Sequence, residues 1–555
     1  MIKNIILLIT GFFVSHLVIA ILLAVIYHQP FFLLSPFNLI LYYSNSVKQG
    51  YEMPKLVFLL TMIYLFLPII PIVILRLIDA KDNKNKYGYA KFVKSSRLIK
   101  KIGFNFENGI VFGIFNRKFK EQQLIRSDQP LSTLLMAPPG TGKTAGIIIP
   151  TLLTLQNSVI VHDPKGELFD VTHKIRLNLG HKILVFDIDD PNSIQFNPFA
   201  INKIPTDIHQ IKPYIVNISN IIFKSSSKDD NNNYFVGAAR SAFIATACFL
   251  TYRFGFTSPL QIRNKILETD DIISTFKQMK EEEPASFKII DNDLRKMLEI
   301  DINSVLIASH SPAQWAGVMG SLTERLDYFS DPKIARIIDC KESSFTAEDL
   351  RKEKTTIYLK VKDKDRSKLK PVISMIFETL GTELISAIPT ENDNQVTFIL
   401  DEFVRLGKVD VLAELSSISR GYNFNQIFVI QDLEQIANTY GKEYMSILES
   451  NCAYKIILKQ NNYLTAEKIS KIIGHKTDIK ISKSRKDKKL VNKGNDSDST
   501  STSQEAIFLV TPQDILNLNE NQCLIISQGF AASPILADIC WWWKNKKILG
   551  IKNGN

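Results

Sequence analysis

The sequence predicts an α/β fold: an open sheet, interrupted by an all-helical insertion and preceded by a two-helix membrane anchor. Three observations predict it. Short apolar runs of strand length alternate with helical segments on both sides of residues 206–340. Inside that interval strand-like runs vanish and helical periodicity takes over, as in Ala238–Leu250. Two further runs, Ile5–Ile26 and Leu56–Leu75, are apolar and long enough to cross a bilayer.

The N-terminal runs read as spans for physical reasons. Ile5–Ile26 is broken only by Thr10, Gly11, Ser15 and His16, and no small-x-small cleavage site follows it, which argues against a signal peptide. Pro68 and Pro71 kink the second run, a feature that membrane helices tolerate. Arg76, Lys81, Lys84, Lys86, Lys91 and Lys94 follow the second span, whereas the loop between the spans holds only Lys48 and Lys55. Both ends therefore face the cytoplasm, with residues 1–80 as the anchor and a short loop outside.

The 555 residues carry a net charge of +11, with 45% hydrophobic and 22% charged residues. That supports a sizeable core, more than one structural unit and an acidic partner, without choosing between nucleic acid and lipid. Cys248, Cys340, Cys452, Cys523 and Cys540 form no CxxC, so neither a zinc site nor a disulfide framework is indicated. His162 and His310 read as structural.

The first half of the sheet, residues 81–205, begins with a strand around Gly109–Gly113. Leu131–Met136 reads as a buried strand and Ala145–Leu155 as a helix. Between them stand Ala137, Pro138, Pro139, Gly140, Thr141, Gly142, Lys143 and Thr144. Strand, glycine-containing loop, Gly-Lys-Thr and helix is the context of a phosphate-binding loop. The glycines let backbone N–H groups point at an anion, and the helix N-terminus adds positive charge. Lys143 then reaches the β- and γ-phosphates of ATP, and the Thr144 hydroxyl binds Mg²⁺. The strict pattern opens with Gly, and Ala137 stands in its place. Further strands are Ser158–His162, ending in Asp163-Pro-Lys-Gly-Glu167, and Lys182–Phe186, ending at Asp187.

After the insertion, residues 341–545 resume the sheet with Thr355–Val361, a helix at Val372–Ile388, and Val396–Leu400. Asp401 and Glu402 close that last strand. This is the form of a Walker B segment, in which Asp401 holds the Mg²⁺ shell and Glu402 orients and polarises the attacking water. Gln426–Ile430 is the next strand. Gln431 at its end is placed to contact the γ-phosphate or the lytic water. Tyr454–Leu458 and Gln522–Ile526 complete the sheet. Residues 477–503, basic and then Ser/Thr/Asp-rich, read as a flexible loop, and 546–555 as a tail.

Together these features resemble the TraG/TraD-type coupling proteins of conjugation and type IV secretion, over most of the chain. Tyr87-Gly-Tyr-Ala-Lys-Phe92, the loop Ala137–Thr144, Asp163–Glu167, Phe196–Phe199, Leu400–Phe403, Arg420-Gly-Tyr422, Gln431 and Tyr440-Gly441 carry the resemblance. It implies a RecA-like P-loop ATPase domain, a homo-hexamer in the bacterial inner membrane with its ATPase in the cytoplasm. It implies DNA–relaxase complexes or effector proteins as cargo, and the components of the secretion channel as partners. Arg420, before the strand that follows Walker B, is the candidate arginine finger acting across a subunit interface, with a structural salt bridge as the alternative. The helical insertion is the candidate cargo-selecting surface. Two other readings compete: a membrane-anchored FtsK-type pump for double-stranded DNA, and a cargo-docking receptor with a weak nucleotide site. Intact Lys143, Thr144, Asp401 and Glu402 argue against the second.

Overall fold

The computed structural model describes residues 87–116, 122–224, 230–267, 271–407, 409–484, 499–545 and Ile548, with isolated positions before residue 63. The predicted spans and the tail lie almost wholly outside these residues. The chain divides into two compact units, residues 1–90 with 475–509, and residues 91–474 with 510–555.

The larger unit is built on an 11-stranded sheet. Its strands are β1 (Ile110–Phe115), β2 (Gln123–Ser127), β3 (Thr133–Met136), β4 (Ser158–Asp163), β5 (Lys182–Asp187), β6 (Thr355–Lys360), β7 (Val396–Leu400), β8 (Phe424–Ile430), β9 (Tyr454–Ile457), β12 (Gln522–Ser527) and β13 (Ile535–Asp538). The spatial order is β2-β1-β13-β12-β9-β3-β8-β7-β4-β6-β5. From β9 to β5 every pairing is parallel. Parallel strands are covered on both faces and read as near-continuous apolar runs. β3, β4, β7 and β8 are buried along their whole length, which is why the sequence shows them clearly.

From β9 outward the sheet turns antiparallel, through β12, β13, β1 and β2. β2 and β13 carry no distinctive apolar run and were not expected from sequence. β2 is half polar, and alternate residues of β13 leave the core. Their backbones are recruited by the ladder of their neighbours, which needs no particular side chain.

Between β5 and β6 the described residues are helical, from Ile208–Ile222 to Pro332–Ile338. The helix Asp230–Phe254 is the axis of this segment. Ala239, Ala242, Phe243, Ala245, Ala247 and Cys248 on it have no solvent exposure. It is long and apolar enough to cross a membrane by length and composition, yet most of it is buried in the protein. The helical segment belongs to the same compact unit as the sheet. A buried polar knot ties the two: Lys203 Nζ bonds Glu383 Oε2 at 2.9 Å, and the Tyr214 hydroxyl donates to the Pro198 carbonyl at 2.8 Å.

In the smaller unit, β10 (His475–Ser484) and β11 (Ser499–Phe508) form an antiparallel pair in continuous register from His475↔Phe508 to Ser484↔Ser499. This corrects the expectation of a flexible loop over 477–503, whose residues 485–498 lie outside the described ones. Low-complexity composition hid the strands. Their Thr, Ile and Ser content is compatible with a ladder, and Lys480 pairs with Glu505 across it.

Candidate nucleotide site

The loop Ala137–Thr144 leaves β3 at the carboxyl edge of the parallel sheet, where open α/β sheets bind ligands. Gly140 and Gly142 have φ of 79° and 89°, a region that L side chains rarely adopt. Their N–H groups donate to no protein acceptor among the described residues. The Thr141 hydroxyl donates to the Pro138 carbonyl at 2.7 Å and closes the turn. Ala137 is fully buried, and its N–H donates to the Ile430 carbonyl at 2.9 Å. Its φ is not positive, so the backbone there does not require glycine.

The helix that follows opens with a π turn, Thr144–Ile148, and continues as Ile149–Thr154. A Cβ at Gly142 would collide with the Trp541 indole, and one at Gly146 with Ile539. Trp541, not anticipated from sequence, therefore covers the loop. Its Nε1 donates to Asn521 Oδ1 at 2.9 Å, which fixes the ring.

Strand order brings the rest of the site together. β8 lies between β3 and β7, with Met136 level with Ile430 and Leu400 level with Phe428. Gln431 thus emerges between the loop and the acidic pair, half-buried, its N–H held by Gln435 Oε1 at 3.2 Å. Lys143 Nζ lies 3.6 Å from Asp401 Oδ1 and 3.9 Å from Glu402 Oε1. The Thr144 hydroxyl lies 3.4 Å from Asp401 Oδ2. A hydroxyl and a carboxylate oxygen side by side form a hard donor set that suits Mg²⁺. Free loop N–H groups with a lysine suit a polyphosphate. The residues present therefore fit Mg-nucleotide.

β4 supports the acidic pair from the other side. His162 Nδ1 lies 2.6 Å from the Asp401 carbonyl. A carbonyl only accepts, so Nδ1 carries the proton. Burial pushes the His162 pKa down to about 4, which keeps the ring neutral. His162 is structural, as expected. Next to it, burial raises the Asp163 carboxyl to about 6, although the Phe169, Leu168 and Gly166 N–H groups favour its ionised form. Asp163 Oδ2 accepts the Phe169 N–H at 2.9 Å and so orders the start of the helix Glu167–Asn178. Lys165 and Glu167 of that turn are exposed.

Arg420 is not part of this cluster. It lies exposed in the turn Ser419–Tyr422, at the amino end of β8, whereas Gln431 follows the carboxyl end. Seven residues of strand place it roughly 20 Å from its own chain's loop.

Two arginines escaped the sequence reading. Arg405 Nε pairs with Glu402 Oε2 at 2.5 Å. Its (i, i+3) spacing from Glu402 was the available signal. Arg176, fully buried, donates to the carbonyls of Leu152, Leu155 and Asn157 at the end of the loop's helix. No local signal marks it.

Residues 83–550 match the family model described as type IV secretory system conjugative DNA transfer. The chain belongs to this family. It is 29% identical over 360 residues to the protein VirD4 of Rhizobium radiobacter, covering 64% of this chain and 49% of that protein. It is 23% identical over 396 residues to the conjugal transfer protein TraG of Escherichia coli, covering 67% of this chain and 60% of that protein. The chain thus spans about half the length of the first of these relatives. Among solved structures it resembles the bacterial conjugative coupling protein TrwBdeltaN70 in its unbound monoclinic form. The TM-score is 0.57 at 15% identity, over 81% of this chain and 92% of that one. The plasmid coupling protein TrwB in complex with ADP and Mg²⁺ gives 0.54 at 15% identity, over 81% and 93%. At this identity the likeness is one of fold, an α/β RecA-like domain.

Proposed function

We propose that this protein is a Mg-dependent ATPase of the bacterial inner membrane. It recruits DNA–relaxase complexes or effector proteins and drives them into a type IV secretion or conjugation channel, working as a homo-hexamer. The observation that carries the reading is the convergence of Lys143, Thr144, Asp401 and Glu402 within one site, in a chain of this family. Similarity to VirD4 and TraG supports the cargo and channel roles. The apolar runs Ile5–Ile26 and Leu56–Leu75 support the anchor.

In this reading the backbone of Pro138–Gly142 cradles the phosphates, and Lys143 leaves the acidic pair to neutralise the β- and γ-phosphates. Thr144 and Asp401 hold Mg²⁺, which supplies charge neutralisation of the leaving phosphate when bound. Glu402 orients and polarises the attacking water. Gln431, between the loop and the acidic pair, contacts that water or the γ-phosphate. Arg420 completes the site of a neighbouring subunit. The helical insertion offers a surface for cargo that grows without disturbing the sheet.

Two variants test the site. Lys143→Ala abolishes hydrolysis and transport while the chain stays folded, because lost phosphate pairing costs catalysis more than stability. Glu402→Gln still binds ATP but hydrolyses it at least about 100-fold more slowly. Near wild-type hydrolysis by either purified variant would remove these assignments. Loss of ATP binding in Glu402→Gln would make Glu402 a metal or structural group instead.

A further inference from the structure

Glu402 is held in an uncommon conformation. Its φ is 53° and ψ 49°, the left-handed region, in which a non-glycine residue is disfavoured by about 1–2 kcal/mol. Such strain persists only where the surroundings over-determine it. Here they do. The Glu402 N–H donates to Asp401 Oδ1 at 3.1 Å, and the Arg405 N–H donates to the Glu402 carbonyl at 2.8 Å. Phe403, the next residue, is fully buried, stacked on Tyr440 at 5.1 Å and edge-on to Phe428 at 5.0 Å. The Tyr440 hydroxyl donates to the Gly407 carbonyl and pins the far end of the turn.

That rigid turn delivers Arg405 back onto Glu402. Its Nε meets Glu402 Oε2 at 2.5 Å, and one terminal nitrogen meets Asp363 Oδ1 at 2.5 Å. Asp363 comes from the turn that leaves β6. Glu402 Oε1 points instead toward Lys143, 3.9 Å away. Glu402 Oε2 is ion-paired with the guanidinium without accepting a hydrogen bond from it, and Oε1 faces the phosphate-binding loop. The Glu402 side chain is 12% exposed and that of Arg405 30%, so the pair is mostly shielded from water.

We propose that Arg405 is the positioning residue for hydrolysis: bridged between Glu402 and Asp363, it fixes the Glu402 carboxylate with Oε1 turned to the nucleotide. This rests on the reading of Glu402 as the group that orients water. Lys143 moves to the phosphates when nucleotide binds, and the Glu402 carboxylate then loses its other cation. Arg405 keeps its direction because its Nε and one terminal nitrogen are engaged by Glu402 and Asp363. A planar guanidinium holds both carboxylates in one fixed orientation, which the flexible ammonium of a lysine does only in part. The Arg405–Asp363 bridge also links the water-orienting carboxylate to the β6 turn, whose Lys362 and Lys364 both pair with Asp189.

The test is a double-mutant cycle on the full-length protein in detergent. Binding is read with a fluorescent ATP analogue and the chemical step by single-turnover hydrolysis of radiolabelled ATP. Arg405→Gln lowers the single-turnover rate by about tenfold or more and changes the nucleotide Kd by less than about twofold. Arg405→Lys recovers part of the rate. In the Glu402→Gln background Arg405→Gln has no further effect, since it acts only through that carboxylate. The same tenfold fall in the Glu402→Gln background overturns the proposal, and so does an unchanged rate in Arg405→Gln alone. A fall in binding and rate together, unrelieved by Arg405→Lys, assigns Arg405 a structural role and overturns it too. If Glu402→Gln itself hydrolyses at the wild-type rate, the reading of Glu402 fails first.

Discussion

Replacing Arg176 with Met perturbs the nucleotide site from a distance, and the structure sets the size of the effect. Arg176 has no solvent exposure and, among the described residues, no carboxylate partner. Burial lowers its pKa to about 10, so it remains charged at neutral pH. Its Nε donates to Thr356 Oγ1 at 2.9 Å on β6. Its terminal nitrogens donate to the carbonyls of Leu152, at 3.2 Å, Leu155, and Asn157, at 2.8 Å. The Leu152 and Leu155 carbonyls lie at the carboxyl end of the helix whose other end is Thr144, and that of Asn157 in the turn just after it. A cation there satisfies orphan acceptors and complements the helix dipole. Met fills the volume but leaves three carbonyls without that donor. At about 1 kcal/mol for each buried acceptor, the net cost is about 3 kcal/mol. With RT near 0.6 kcal/mol, that is about a 100-fold loss of protection against local opening. Hydrogen exchange measured by mass spectrometry reads it directly. Peptides over 144–157 should exchange about 100-fold faster in the variant, and nucleotide should bind more weakly because the loop's helix no longer has a fixed end. A change of less than about threefold in those peptides would refute the anchoring argument.

The remaining predictions concern pH and the subunit boundary. His162 is neutral in the folded protein, with its pKa pushed by burial to about 4 from an ordinary 6.5. The unfolded chain therefore binds more protons between pH 6.5 and 4, and His162's contribution is present above that window and lost as pH falls through it. The stability gap between wild type and His162→Gln, from denaturant midpoints without nucleotide or metal, should shrink by about 3 kcal/mol from pH 7 to pH 4. Asp163, raised by burial to about 6, acts with the opposite sign, but it is present in both proteins and cancels in the difference. For Arg420, which lies far from its own loop, the proposed finger role is one in a neighbouring subunit's site. Mixing Arg420→Ala with Lys143→Ala subunits should restore part of the hydrolysis that either lacks alone, and no recovery at any ratio would end the finger assignment.

Much of this site was legible along the chain. The loop Ala137–Thr144 and the pair Asp401–Glu402 are written contiguously, because the backbone geometry that binds phosphate needs glycine at local positions. The strand before each is a local apolar run, because a parallel strand covered on both faces has no polar side to show. Membrane-length apolar runs are likewise a property of sequence alone. Tertiary structure decided which segments meet. Thr144 and Asp401 are 257 residues apart and become neighbours only because β8 inserts between β3 and β7. Nothing in the composition of those strands specifies that order, since ladder hydrogen bonds are made by backbone and accept any apolar neighbour. For the same reason His162, Arg176 and Trp541 read as ordinary residues. Their partners lie on other elements, and a buried polar group takes its meaning from the donors and acceptors that folding sets around it.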